Sequence, residues 1–310
     1  MYDIIVIGSA TRDVLIESDA FEHAKKGAKL EIKKLVLATG GGGTNYAVTF
    51  ARQGLKTACI GVVGNDPNGQ EILHELEGEG VDVSMFEKHN TDMTAYSVIL
   101  VYPDAERTIL SYKGEGQHFE VSEIDLSKLQ CKWLFLDSLG GHYDIFEKLV
   151  QHAVKNNIKI ACNPGGKELA HGLEKLKPLL KEMDIFLVNK EEGGSLWADR
   201  DPREFLPKAI ISISDGPAGV RVMAPDGSVY TAGIPNSPVV ERTGAGDAFG
   251  SGFVSEYIRS GSLPAQAGIE KAIQFGTANA SSVVTQFGSK AGILKTGDMG
   301  PWPLVEVVKK

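Results

Sequence analysis

Six short apolar runs alternate with amphipathic stretches along this chain, and that alternation limits the fold more than any other feature. The runs cover residues 4–8, 57–63, 133–137, 159–163, 185–189 and 209–214. Each is apolar almost throughout, so both faces of the strand it forms need cover. That is the condition of a parallel sheet between helical layers. The intervening segments carry helical spacing. Over residues 143–156, Ile145, Phe146, Leu149, Val150, Ala153 and Val154 share one face. A chain of 310 residues can build one large α/β domain or two smaller ones.

Two stretches break the alternation. Residues 14–37 and 94–112 read as strands and turns without helices, with a turn at Tyr102-Pro103-Asp104-Ala105. They are expected to form a small β lid over the core. The expected division is a core of residues 1–13, 38–92 and 114–310, and a lid of residues 14–37 and 93–113. Exposed lid strand edges pair readily with other chains, so a homodimer through the lid is expected.

The chemistry concentrates in residues 241–254, ERTGAGDAFGSGFV. A Thr-Gly-Ala-Gly turn runs into a helix whose Phe249, Phe253 and Tyr257 recur every fourth residue. The first N–H groups of a helix have no partner within it, and the dipole makes that end mildly positive, so phosphate binds there. A carboxylate at the same mouth, Asp247, would repel a merely bound anion. It suits a reaction in which the carboxylate faces an acceptor hydroxyl and the amides face a transferring phosphoryl group. The other reading is a glycine-rich structural turn ahead of a core helix. Gly250 and Gly252 weaken that helix unless another backbone packs close by.

Residues 39–54, TGGGGTNYAVTFARQG, place four glycines before a helix expected over 44–53, with Thr44 as its cap and Gly54 as its stop. Bare backbone allows a ligand to approach closely. Asn45 offers a donor and an acceptor to a sugar hydroxyl. A flexible loop with a capping asparagine is the alternative.

Together these segments resemble the two signatures of the ribokinase (pfkB-type) family of carbohydrate kinases. Gly42, Gly43, Asn45 and Ala47, followed by Gly54 and Gly64, match the N-terminal one. Gly244, Ala245, Gly246, Asp247, Ser251 and Gly252 match the C-terminal one. Glu241 and Arg242 depart from the family's usual Asp-Thr pair, which bears on the monovalent-cation site often found beside it. The resemblance covers nearly the whole chain. It implies a ribokinase-like α/β fold: a central, mostly parallel sheet flanked by helices in three layers, with a small β-sheet lid. It also implies transfer of the γ-phosphate of ATP, with Mg2+, to a hydroxyl of a small sugar. Asp247 would be the base and the amides of Gly244, Ala245 and Gly246 the anion hole. Asp13, Gly42, Gly43 and Asn45 would hold the substrate, with Arg107 a phosphate clamp or a surface ion-pair partner like Arg242. Asn189 and Glu192 form an Asn-x-x-Glu element that in relatives organises phosphate and, through water, magnesium. Ser214, Gly216 and Gly219 stand in the strand and loop that lie against the nucleotide, and Asn279 opens the segment that walls the adenine. Asp215 beside a nucleotide is unusual.

Other classes fare less well. The net charge of −8 and the absence of a basic stripe argue against nucleic acid. The first strand is followed by GSATRD, not a dinucleotide fingerprint, and no P-loop is present. A nucleoside kinase remains the alternative, for which Tyr46 and Tyr96 offer aromatic pocket walls, and a non-catalytic sugar or nucleotide sensor is the rival outside the enzymes. An acidic or phosphorylated sugar would require a cation from among Arg12, Lys33 and Arg107. The three cysteines pair in no pattern and read as buried and reduced, as in cytoplasm. The seven histidines show no metal-ligand spacing, and the N-terminal apolar run is strand-like, without a leader or membrane span.

Overall fold

Each of the six apolar runs contains a strand in the computed structural model, which describes residues 1–21, 25–117, 124–261 and 265–310. In chain order the strands are β1 (Tyr2–Ile7), β2 (Thr11–Glu17), β3 (Lys34–Gly40), β4 (Thr57–Ile60), β5 (Val62–Gly64), β6 (Glu87–His89), β7 (Tyr96–Val101), β8 (Arg107–Tyr112), β9 (Cys131–Leu136), β10 (Lys159–Cys162), β11 (Ile185–Asn189), β12 (Ile210–Ser214), β13 (Val220–Met223), β14 (Val229–Ala232) and β15 (Val307–Lys309). The helices are α1 (Gly42–Arg52), α2 (Pro67–Gly78), α3 (Tyr143–Lys155), α4 (Gly166–Leu169), α5 (Leu173–Leu180), α6 (Lys190–Trp197), α7 (Ala245–Arg259) and α8 (Ala265–Val283).

The large sheet has the order β15-β14-β13-β12-β11-β10-β9-β1-β4. Pairing is parallel from β12 to β4 and antiparallel through β13, β14 and β15 at the other edge. The continuous apolar runs follow from two-sided burial. Ile5 and Ile7 of β1 pack into a core that includes residues of α3, α5 and α6, while Ile4 and Val6 pack into one that includes residues of α1, α2, α7 and α8. All four are fully buried, which contributes about 2 kcal/mol each. The run at 57–63 is interrupted at Gly61, where an added Cβ would lie 2.6 Å from Phe86. Beyond it β5 leaves the large sheet and pairs with β6.

The two helix-free stretches contribute to a separate sheet of order β3-β2-β7-β8. Its Leu15, Ile99 and Val101 pack with Val36, Ala38 and Phe287. The β2–β3 ladder extends beyond 14–37, from Thr11↔Gly40 to Glu17↔Lys34, and so reaches the glycine run itself. Residues 22–24 of that stretch lie outside the described residues. The β7–β8 turn closes with Ala105 N–H donating to Tyr102 O at 3.0 Å.

Glycine decides how the site helices pack. α1 starts at Gly42, two residues earlier than expected, because Gly41 takes the N-cap position with φ 91°. Thr44 is therefore inside the helix, and its Oγ1 donates to Gly40 O at 2.7 Å instead of capping. A Cβ on Gly42 would lie 2.5 Å from Asp137 Oδ1, and one on Gly43 2.6 Å from Gly8 C, so the glycine run lets the helix sit against the end of β1. Gly54 stops the helix as expected, at φ 79°. In α7, Gly252 faces the Gly276 backbone of α8, and Gly250 faces Tyr46.

An alanine Cβ at Gly250 would stand 2.3 Å from Tyr46 Oη, and that ring cannot yield because it stacks on Phe135 with centroids 4.0 Å apart. Gly194 in α6 has open space around it. Gly250→Ala should lower unfolding free energy by ~1–3 kcal/mol despite its better helix propensity, whereas Gly194→Ala should raise it by ~0.5–1 kcal/mol. Urea denaturation of both variants checks this, and a gain at Gly250 would contradict the packing.

Candidate active site

Parallel sheets present ligand sites beyond the carboxyl ends of their strands. Here Asp137 follows β9, Asn163 follows β10, Asn189 ends β11 and Ser214 ends β12. A cavity of about 200 Å³ at this rim is lined by Tyr46, Asn163, Asn189, Glu192, Ser214, Gly246 and Asp247, among others. Residues expected to act together from distant parts of the chain do meet there.

Asp247 occupies the first turn of α7. Its Oδ2 accepts a hydrogen bond from Asn45 Nδ2 at 2.8 Å, and Asn45 Oδ1 accepts one from Ser289 Oγ at 2.8 Å. Asn45, expected to read a sugar hydroxyl, thus holds the carboxylate in place. Gly244 caps the helix in the left-handed region at φ 78°, and a Cβ there would lie 2.4 Å from Ser289 Cβ. Ala245 N–H turns back to Arg242 O at 3.3 Å, and the helical ladder begins with Ala248 N–H on Gly244 O at 2.8 Å. Ahead of that ladder the amides of Gly244, Gly246 and Asp247 are not turned back, so two of the three amides of the expected cradle of Gly244, Ala245 and Gly246 stay available and that of Asp247 joins them.

Burial dominates the electrostatics. It raises the Asp247 carboxyl above its ordinary value, opposed by the Asn45 hydrogen bond and by Lys290. Burial thus works against ionisation of this group at the helix terminus. Asp13 is buried on β2 and pushed up to about 6 by desolvation, against Lys290 and a hydrogen bond with Ser97. Gly40 makes room for it, since a Cβ there would overlap Asp13 Oδ2 at 1.9 Å. Asp137 was not among the expected residues. Burial, and next the charge of Asp247, raise it to about 7, while Ser9 donates to it through N–H at 3.3 Å and Oγ at 3.1 Å. Its signal was its position as the last residue of the run at 133–137, at the carboxyl end of a central strand.

The remaining expected residues divide. Asn189 and Glu192 form a reciprocal cap on α6, with Glu192 N–H on Asn189 Oδ1 and Asn189 N–H on Glu192 Oε2, both 2.8 Å. Each keeps one polar side-chain atom outside that cap. Ser214 lines the same cavity, and Gly219 lines an adjoining groove of about 670 Å³ with Lys190, Trp197 and Asp215. Gly216, at φ 49°, lies in the intervening turn. Asp215 accepts from Lys190 Nζ at 2.8 Å, which ties this turn to α6. Asn279 is used elsewhere: fully buried, it donates to Ala248 O at 2.8 Å and accepts Leu294 N–H at 2.9 Å, so its amide faces the protein interior. Arg107 lines neither cavity, and its buried Nε has no hydrogen-bond partner. Arg242 pairs with Glu106 of the small sheet's hairpin at 3.3 Å. Lys33 pairs with Asp19. The three cysteines are buried free thiols. Among the described residues no helix is long and apolar enough to cross a membrane.

Asp13 and Asp137 hold protons in the folded chain at pH values where the unfolded chain has released them. Their raised values stabilise the fold fully below the ordinary 3.8, and that contribution is lost as pH rises through about 6 and about 7. Asp137→Asn removes one such group. Relative to wild type, its unfolding free energy should improve by on the order of 2 kcal/mol between about pH 5 and about pH 8. Denaturant titrations at both pH values check this, and a constant difference would contradict the assigned burial.

The family comparison agrees with this geometry. Residues 1–296 match the model of the pfkB family carbohydrate kinases. The chain is 29% identical over 303 residues to the ribokinase of Haemophilus influenzae, with 94% of each chain covered. Among solved structures, ribokinase from Giardia lamblia superposes with a TM-score of 0.79 at 19% identity, covering 95% of this chain and 98% of that one. The nucleoside kinase of Methanocaldococcus jannaschii superposes equally, with a TM-score of 0.79 at 19% identity and 95% of both chains covered. These structural matches show a ribokinase-like fold. The chain belongs to the pfkB family of carbohydrate kinases, phosphotransferases that act on a hydroxyl group.

Proposed function

We propose that this protein transfers the γ-phosphate of ATP to a hydroxyl of a small sugar, with Asp247 as the base. The observation that carries this reading is the carboxylate held 2.8 Å from Asn45 Nδ2 in the first turn of α7, at a cavity that also receives Asn189, Glu192 and Ser214. The acceptor hydroxyl gives its proton to Asp247 as the new phosphorus–oxygen bond forms. The amides of Gly244, Gly246 and Asp247 offset charge growing on the transferred group. Asp13, Asp137 and the bare backbone at Gly42 and Gly43 hold the other hydroxyls. Ser214, Gly216 and Gly219 carry the nucleotide along the β12 rim.

Magnesium, when bound, would supply positive charge that offsets the negative charge of the phosphates. Among the described residues no cluster of three metal-ligating acids, histidines or cysteines occurs, so Glu192 and Asn189 would reach the ion through water. A monovalent cation fits beside the turn, where buried Glu241 Oε2 and Thr243 Oγ1 have no hydrogen-bond partner. The small sheet acts as a lid that closes over the acceptor and excludes water.

A sugar is favoured over a nucleoside by the aromatic placement. Tyr46 is stacked on Phe135 and fully buried, and Tyr96 is half-buried on β7, so one of the two aromatic walls is tied into the core, whereas three carboxylates suit a polyhydroxyl acceptor. A sensor has no need of a tethered base.

Asp247→Asn should lower turnover by at least ~10³-fold with ATP affinity changed less than about threefold. ADP release with magnesium-ATP over a panel of sugars and nucleosides, with calorimetric ATP binding, tests this. Retained turnover in the variant would remove Asp247 as base. Leu35, Leu37, Leu110 and Tyr112 are exposed apolar residues on the small sheet and support self-association there. Wild type should sediment as a dimer and Leu37→Asp as a monomer, while a monomeric wild type would refute this.

A further inference from the structure

Lys290 is one of the few fully enclosed lysines a soluble protein carries, being 5% exposed. Its Nζ donates to Thr39 Oγ1 at 2.6 Å, and Thr39 Oγ1 in turn donates to Glu75 of α2. Its backbone is pinned separately, because Arg52 Nη1 donates to Lys290 O and Ile293 O at 2.9 Å each, while Arg52 is paired with Glu79 at 2.6 Å. The preceding residue is Ser289, which holds Asn45. One short segment of the tail therefore supports the catalytic turn in two ways.

The charges around it explain why an ammonium sits there. Lys290 interacts with the carboxylates of Glu75, Asp13 and Asp247 and with the Cys59 thiol. Asp247 is faced by Asn45 and Tyr46 from α1, Asp137 from the end of β9, Glu192 from α6, Asp13 from β2 and Lys290 from the tail. The charge of Asp247 raises Asp13, Asp137, Glu192 and Tyr46, while burial opposes its own ionisation and Lys290 favours it. Burial also pulls the ammonium itself down, and the carboxylates pull it back up, so each side depends on the other.

We infer that Lys290 is a positioning residue for the phosphoryl transfer proposed above: a buried ammonium, fixed by Thr39, that is the counter-charge to Asp13 and Asp247. Its work is to keep the base ionised inside a dry site. The inference rests on Asp247 being that base. In the structure the Lys290 ammonium is held by Thr39 inside the protein and acts on Asp247 through its charge, so its effect should depend on pH.

The test compares wild type, Lys290→Met and Lys290→Arg by ADP release from about pH 5 to about pH 9, using the best acceptor of the wild type. Lys290→Met should move the acid limb of kcat/KM upward by about one unit or more, and Lys290→Arg should return it, since arginine stays charged. Equal loss at every pH, or an unchanged profile, would overturn the inference. Lys290→Gln replaces Lys290→Met where the latter does not fold. A second measurement needs no turnover: with 13C-labelled aspartate carboxyls, the Asp247 signal, identified by its loss in Asp247→Asn, should titrate higher in Lys290→Met but not in Lys290→Arg. An unmoved midpoint would overturn the role of Lys290 alone. Absence of wild-type turnover on every acceptor would count against the proposed reaction instead.

Discussion

On the proposed reaction, keeping the Asp247 carboxylate charged where there is little water is the constraint on which the rest of this site depends. Burial pushes Asp247 toward its neutral form. One amide hydrogen bond, from Asn45 at 2.8 Å, and one buried ammonium, Lys290, act against it. Two of these groups sit near each other through the tail segment 289–290, which bonds Asn45 through Ser289 and Thr39 through Lys290. The glycine run before α1 and the left-handed Gly244 make that closeness possible, since a Cβ at Gly42, Gly43 or Gly244 would collide with Asp137, Gly8 or Ser289. Glycine here is a packing requirement as much as a ligand requirement.

The fold delivers these groups by ordinary means. A mostly parallel sheet buried on both faces sends the ends of β9, β10, β11 and β12 to one rim. The two helices whose N-termini face that rim, α1 and α7, come from opposite halves of the chain and pack through Gly250 on Tyr46. The small sheet grows from the same place, because its β2–β3 ladder ends at Gly40, directly before the glycine run. Arg242 and Glu106 pair across from the Thr-Gly-Ala-Gly turn to the hairpin of that sheet.

Much of this was legible in the sequence where the physics is local. Continuous apolar runs gave away the parallel strands buried on two faces, while the antiparallel edge of β13, β14 and β15 and the break at Gly61, which depends on Phe86 packing against a missing Cβ, were hidden. The Thr-Gly-Ala-Gly turn and its aspartate were readable because helix termini attract anions whatever surrounds them. Pairings were not readable. Asn45 and Asp247 are 202 positions apart, and nothing local says that the amide bonds this carboxylate rather than a ligand. Asp137 looks like any aspartate after a strand until burial and Asp247 raise its proton affinity. Asn279 resembled a nucleotide contact by position, yet the α7–α8 packing turns its amide inward.

A structure with the acceptor and a non-hydrolysable ATP analogue bound is the most direct measurement of the central claim. One acceptor hydroxyl should lie ~2.6–3.2 Å from the Asp247 carboxylate, with the terminal phosphate facing the first amides of α7. An acceptor bound with no hydroxyl near Asp247, or a phosphate lodged away from that helix end, would contradict it.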